Sequence, residues 1–148
     1  MKTLNQIKET LKYFFKNHEQ LNTTVYGDDF DFQAEREIKY PVAHIEYLNS
    51  IAADKTNTHS YRITLSDLVD QNLSGHEDEI LSDMMLIAED LYTWAADNDG
   101  FIFIKNIAFE KFLDDAHDRT SGIVFNIQLA TIMRQNTCAI PNSNSFLE

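Results

Sequence analysis

The stretch SGHEDEILSDMMLIAEDLYTWAADNDG, residues 74–100, decides the fold. Its apolar residues recur at spacings of three and four, which predicts one long amphipathic helix over residues 75–97. Ser74 and Glu77 match an S-x-x-E capping box at the start, and Asn98-Asp99-Gly100 predicts the end. The residues of the predicted apolar stripe are Ile80, Leu81, Met84, Ile87, Ala88, Leu91, Tyr92 and Ala95.

The opposite side of this predicted helix carries carboxylates, namely Glu79, Asp83, Asp90 and Asp97. The chain has 24 acidic and 12 basic residues, which gives a formal net charge of -12. Between Arg62 and Lys105 there is no Lys or Arg, although ten Asp and Glu residues lie there. The acidity is therefore concentrated around one predicted helix. Its simplest interpretation is a solvated face that favours solubility.

Strand patterns lie on both sides of the long helix. Residues 42–49 and 61–65 alternate between apolar and polar, which predicts a half-exposed antiparallel hairpin, with residues 50–59 as an exposed loop. Further strands are predicted over 101–104, 107–112 and 123–129. Near the amino terminus, residues 3–19 predict an amphipathic helix, and residues 22–26 and 30–32 predict short strands around a turn.

This order of elements predicts an α+β fold, in which an antiparallel or mixed sheet packs against one long helix and an N-terminal helix. A length of 148 residues fits one domain, predicted over residues 1–141, followed by a polar tail over 142–148. The apolar runs are too short to span a bilayer, and no secretory segment is recognisable, so we expect a cytoplasmic protein without membrane contact.

No pattern in the chain predicts catalysis or a cofactor. The cluster at His76-Glu77 lacks the H-E-x-x-H spacing of a zinc site, and the loop 114–118 lacks the interior glycine of a calcium loop. Glycine-rich phosphate loops are absent, and the single cysteine, Cys138, stands in no known nucleophile motif. We therefore predict a protein that is not an enzyme and that binds no metal or cofactor.

The order of parts resembles the tail-terminator and head-tail connector ring proteins of tailed bacteriophages. An N-terminal helix ending at His18-Glu19 is followed by strands, the long acidic helix and closing strands. The segments that carry the resemblance are TVYGD (24–28), YPVAHI (40–45), YRITL (61–65), DRTSGIVFNI (118–127) and NTCAIP (136–141).

The resemblance implies a structural virion protein that is assembled in the host cytoplasm and forms a ring, commonly a hexamer. Such a ring ends tail-tube assembly, docks neighbouring tail-tube and neck proteins and lets DNA pass. An acidic lumen would repel DNA, since nucleic acids are held mainly by Lys and Arg. The candidate acidic residues are Glu79, Asp83, Asp90, Asp97, Asp114, Asp115 and Asp118, and the candidate subunit contacts are Phe30, Phe32, Trp94 and Phe146.

Two other classes of function remain open on the sequence. An acidic adaptor or DNA mimic would present the same carboxylates to a basic protein and would be a monomer or dimer. A small hydrolase would use His117 or His76 with neighbouring carboxylates. Trp94 has a second interpretation as well, as a residue at the edge of the core.

Overall fold

The computed structural model describes residues 2–28, 38–70, 72–114, 119–133 and residue 141. Within these residues the chain forms two helices, α1 (Leu4–Lys16) and α2 (His76–Ala96). The strands are β1 (Thr23–Tyr26), β2 (Val42–Ala53), β3 (Thr56–Leu68), β4 (Ile102–Phe103), β5 (Glu110–Asp114) and β6 (Thr120–Ile132).

The six strands form one sheet in the order β1-β2-β3-β6-β4, and β5 pairs with the end of β6 that β4 leaves uncovered. β1 and β2 run parallel, whereas every other neighbouring pair is antiparallel. The predicted α+β class is thus confirmed, and the sheet is mixed. The predicted long helix and N-terminal helix are both present.

One face of the sheet carries the core. Side chains alternate between the two faces of a strand, so Ile63, Phe125 and Ile127 lie together on one side and are buried. Both helices cover this face: α1 packs beside β1, and α2 lies over β6 and β3. The stripe predicted for α2 is confirmed, because six of its members are buried: Ile80, Met84, Ile87, Ala88, Leu91 and Ala95.

The predicted loop over residues 50–59 is wrong. β2 continues to Ala53 and β3 begins at Thr56, with only Asp54 and Lys55 forming the turn. Both turn residues have positive φ, 48° and 68°, as a two-residue hairpin turn requires. The polar side chains of this stretch do not give an apolar alternation, so the sequence pattern did not predict strands here. The strands form nevertheless, because the backbone of β3 pairs with β6.

The predicted capping box at the start of α2 is also wrong. The N-cap is Gly75, which has φ 76° in the left-handed region, and no side chain caps the helix. Glu77 instead contacts Arg119 and Lys111, at the start of β6 and on β5. The Glu77 carboxylate, which the local pattern assigned to the cap, therefore forms a tertiary ion pair with Arg119 instead.

The first half of β2 departs from the predicted half-exposed strand, since residues 42–45 are buried on both faces. His44 belongs to the predicted polar face but is only 6% exposed, and its Nε2 donates a hydrogen bond to the Gly27 carbonyl oxygen at 2.7 Å. β1 pairs in parallel with this part of β2. The predicted partner strand of β1, residues 30–32, lies outside the described residues.

We expect Gly122→Ala to destabilise the fold by about 1–3 kcal/mol or more. A Cβ at position 122 would lie 1.8 Å from the backbone oxygen of Leu65, so the central ladder would have to separate. Denaturant unfolding measures the change. Asn126→Ala is the control on the same strand, because Asn126 is exposed, and it should change stability by no more than about 0.5 kcal/mol. Equal effects of the two substitutions would contradict this close approach.

Candidate functional site

The acidic face of α2, defined here as Glu79, Asp83, Asp90 and Asp97, lies along the solvent side of the helix. All four residues are exposed, as their spacing of four and seven residues predicts for one face. At 1.5 Å per residue, the row from Glu79 to Asp97 spans about 27 Å. The structure therefore brings these predicted site residues together in one line.

Few cations balance this row. His18 Nε2 donates to Asp90 Oδ2 at 2.9 Å, and the Gln20 amide donates to His18 Nδ1, which fixes the orientation of the ring. Across the described ranges, no Lys or Arg lies within ion-pair distance of Glu79, Asp83 or Asp97. Leu86, 52% exposed, is an apolar residue on the same side of the helix. The face is a strip of mostly uncompensated negative charge.

The amino end of α2 differs from the rest of the helix, because cations gather there. Glu77 contacts Arg119 closely, and Lys111 Nζ lies 3.7 Å from Glu77 Oε2. These residues, with His76 and Asp70, line an open groove of about 390 Å³. His76 Nδ1 accepts a hydrogen bond from the Asp70 amide at 2.7 Å. Burial raises the pKa of the nearby Asp67 carboxyl, although the Leu68 amide and His76 act in the opposite direction.

His76, one of the two histidines of the hydrolase hypothesis, lines this groove. The Nδ1 of His76 accepts a backbone hydrogen bond, and the Lys111 and Arg119 side chains of the groove both contact Glu77. Among the described residues, no three His, Cys, Asp or Glu side chains lie close enough together to hold a metal ion. The hydrolase hypothesis at His76 stays a prediction. His117, the other histidine of that hypothesis, lies outside the described residues.

Of the remaining predicted site residues, only Asp114 and Trp94 are among the described residues. Asp114 is exposed at the end of β5, in the hairpin whose Lys111 reaches the amino end of α2. It therefore lies toward the same end of the molecule as Glu79. The predicted residues Phe30, Phe32, Asp115, Asp118 and Phe146 lie outside the described residues, as do Cys138 and the tail over 142–148.

Trp94 packs within the subunit. Its ring centroid lies 4.9 Å from that of Phe14 on α1 and 6.3 Å from that of Phe101, which follows α2. The side chain is half-buried between the two helices and the chain leading to β4. These contacts support the interpretation of Trp94 as a residue at the edge of the core, and a subunit contact at its exposed part stays a prediction.

A polar cluster that the sequence did not indicate lies on the helix-covered face of the sheet, near the tip of the β2–β3 hairpin. Ser50 Oγ lies 2.6 Å from His59 Nδ1, and the Tyr47 hydroxyl contacts Ser50 closely. On the other side of the ring, Thr131 Oγ1 lies 3.5 Å from His59 Nε2. A register shift in β2 between Tyr47 and Asn49 places Ser50 opposite His59. No local pattern marks such a shift in advance.

The cluster contains a Ser–His pair, Ser50 and His59, whose hydrogen bonds join neighbouring strands. His59 is only 4% exposed, and burial lowers the pKa of its imidazole. The second ring nitrogen, Nε2, faces the Thr131 hydroxyl and not a carboxylate. The hydrogen bonds tie β2, β3 and β6 together at the hairpin end of the sheet.

The hydroxyl of Tyr61, whose ring contacts Tyr47 of this cluster, differs from the others in its hydrogen bonding. Tyr61 is fully buried, and its hydroxyl oxygen has no hydrogen-bond partner among the described residues. Burial raises the pKa of the Tyr61 phenol well above its usual range, and Tyr26 and Tyr47 add to this shift. The ring itself packs edge-on against Tyr47 at 5.6 Å.

We expect Tyr61→Phe to stabilise the fold by about 1 kcal/mol, because it removes a buried hydroxyl that lacks a partner. Tyr47→Phe is the matched variant, since the Tyr47 hydroxyl does have a partner, and it should lower stability by about 0.5–1.5 kcal/mol. Denaturant unfolding of both variants gives the comparison. A loss of stability in Tyr61→Phe would show that its hydroxyl has a partner.

Acid should weaken the polar cluster. The folded-state pKa of His59 lies below its unfolded value of 6.5, so the folded protein binds fewer protons, and its stability should fall as pH drops below 6.5. The measurement is the unfolding free energy of the wild type and of His59→Asn between about pH 8 and pH 5. The advantage of the wild type should shrink toward acid pH, and parallel curves would contradict the assignment.

Comparisons with known proteins returned no match that bears on these surfaces. No family model matches the chain, and no curated protein sequence matches it significantly. Within the described part of the chain, no helix combines the length and apolar character needed to cross a membrane. The resemblance to phage ring proteins consequently stays a prediction, and the arrangement of charge on the fold carries the functional inference.

Proposed function

We propose that the protein is a structural virion protein, a subunit of a ring at the junction of a phage tail and neck. It would act as a tail terminator or head-tail connector. In this role it ends the growth of the tail tube and lets DNA pass through an acidic lumen. The site of action is the assembled virion, and the subunits are made in the host cytoplasm. The neighbours are other copies of the chain, tail-tube proteins and neck proteins.

The observation that carries the proposal is the acidic face of α2. Its carboxylates are exposed on one side of a 21-residue helix and at the C-cap residue Asp97 that follows it. Like charges at helical spacing destabilise a helix by a few tenths of a kcal/mol, and Asp97 also opposes the helix dipole. A face that lowers the stability of its own helix, with almost no compensating cations, is consistent with selection for its charge.

A negatively charged lining suits the passage of DNA. DNA binds proteins largely through release of counterions when Lys and Arg neutralise its phosphates, and the acidic face has neither residue. Like charge keeps the duplex centred and free to slide, whereas a basic lining would hold it. Because this repulsion is electrostatic, salt screens it over about 8–10 Å, so it acts only at the short range of a narrow channel.

The alternative hypothesis, an acidic adaptor or DNA mimic, uses the same face differently. A row of carboxylates about 27 Å long also complements a groove of basic residues in a DNA-binding protein. That role predicts a monomer or dimer and a complex that salt dissociates. The oligomeric state of the purified chain therefore separates the two hypotheses before any partner is known.

Electron microscopy and native mass spectrometry of the purified protein test the proposal directly. We expect particles with a central opening and one defined number of subunits. We also expect no retention of duplex DNA. A strictly monomeric protein at high concentration, or tight binding of bare duplex by the wild type, would contradict it.

Reversing charge on the acidic face should convert the lumen into a binding surface. The double variant Glu79→Lys/Asp83→Lys should still form particles but should retain DNA at low salt and release it as salt rises. The matched control is Glu9→Lys/Glu110→Lys, which changes net charge equally at exposed positions away from α2. Equal DNA retention by both variants would show that net charge alone, and not the position of the acidic face, decides the outcome.

A further inference from the structure

The face of the sheet opposite the helices carries a row of exposed isoleucines near the hairpin end. Ile51 pairs with Thr58, Thr58 pairs with Ala130, and Ala130 pairs with Ile102, so the row crosses β2, β3, β6 and β4. Residues that pair in register share a face of the sheet. Ile51 and Ile102, at the two ends of the row, are 60% and 46% exposed, whereas Ala130 between them is 5% exposed.

The adjoining rows extend the same surface. On one side Ile132 pairs with Thr56 and is 53% exposed. On the other side the Ile104 amide donates to the Gln128 carbonyl at 3.1 Å, and Ile104 is 37% exposed. We call Ile51, Ile102, Ile104, Ile132 and Ala130 the isoleucine face. Thr56 and Thr58 lie between Ile51 and the other three isoleucines, so the surface is apolar with small polar residues between. Several exposed apolar residues grouped on one sheet face are typical of an interaction surface.

The isoleucine face is uncharged, although the chain carries a net charge of -12. The other side chains of these three rows are Asn, Ser, Thr, Gln and Ala, namely Asn49, Ala53, Thr56, Thr58, Ser60 and Gln128. The acidic face of α2 lies on the other side of the sheet, because α2 packs on the core face. The fold thus separates an uncharged apolar surface from a strongly acidic one.

This separation restricts what can dock there. A basic partner would be drawn to the acidic face of α2. Two copies of a strongly acidic chain repel each other wherever carboxylates face carboxylates. A surface without charge avoids this repulsion, and the isoleucine face meets that condition. The β-branched side chains of its isoleucines also suit packing at an interface.

We infer that the isoleucine face is one half of the contact between neighbouring copies of this chain. The inference rests on the proposed ring and adds which surface of the subunit is buried in it. A closed ring joins two different surfaces, so the isoleucine face of one copy packs against another surface of the next. The acidic face of α2, across the sheet, then remains uncovered and available to the lumen.

The test is a pair of matched charge insertions. The double variant Ile51→Glu/Ile132→Glu places two carboxylates in the isoleucine face, whereas Leu86→Glu places one at a similarly exposed apolar residue on the solvent side of α2. Sedimentation velocity and native mass spectrometry over a wide range of protein concentration give the oligomeric state. Circular dichroism and thermal unfolding verify that each variant is folded.

We expect the wild type and Leu86→Glu to assemble alike, and the double variant to remain a folded monomer at a hundredfold higher concentration. Hydrogen exchange of the wild type should slow across residues 49–60 and 128–132 on assembly. Normal assembly of the double variant, equal disruption by Leu86→Glu, or a wild type that stays monomeric would each overturn the inference.

The outcomes also separate this inference from the proposed function. If the wild type forms rings and the double variant forms them too, the ring proposal stands and the interface assignment fails. If the wild type forms a dimer without a central opening and the double variant abolishes it, the isoleucine face is an interface and the ring proposal fails. The single variant Ile51→Thr keeps the branch at Cβ but shortens the side chain and adds a hydroxyl, and it should weaken assembly at least tenfold.

Discussion

The antiparallel ladder between β3 and β6 holds the rest of the structure in place. Each strand is 13 residues long, and every residue of β3 has a partner in β6. The two backbones approach so closely at Gly122 and Leu65 that no side chain fits between them. β2 pairs along the outer edge of β3, and β4 and β5 divide the other edge of β6. The helices cover one side of this ladder.

Because both helices lie on one side, the two sheet faces meet different environments. The covered face buries the core and, near its end, the hydrogen-bonded cluster around His59. The opposite face exposes isoleucines at the hairpin end. Charge follows the same division, since the exposed side of α2 is acidic and the isoleucine face is uncharged. A molecule with this polarity can present one surface to like molecules and the other to a polyanion.

The sequence allowed the acidic face of α2 to be predicted well, because helical periodicity alone places Glu79, Asp83, Asp90 and Asp97 on one side. Prediction of the strands from the sequence failed where backbone pairing, and not the pattern of side chains, determined the structure. Residues 50–59 are too polar to suggest strands, yet β3 pairs with β6 and β2 pairs with β3 through this stretch. Likewise Ser74 and Glu77 suit a local cap, but Glu77 is held by Arg119, 42 residues away in the chain.

What the sequence determined by itself is the set of elements and the location of the charge: two amphipathic helices, alternating strands and a stretch of carboxylates without cations. These follow from spacing within a few turns or residues, which local geometry fixes. Only the tertiary structure decided the strand order, the parallel pairing of β1, the cluster around His59 and the isoleucine face. Each of these depends on register between distant strands, and a shift of one residue would reverse which side chains are buried.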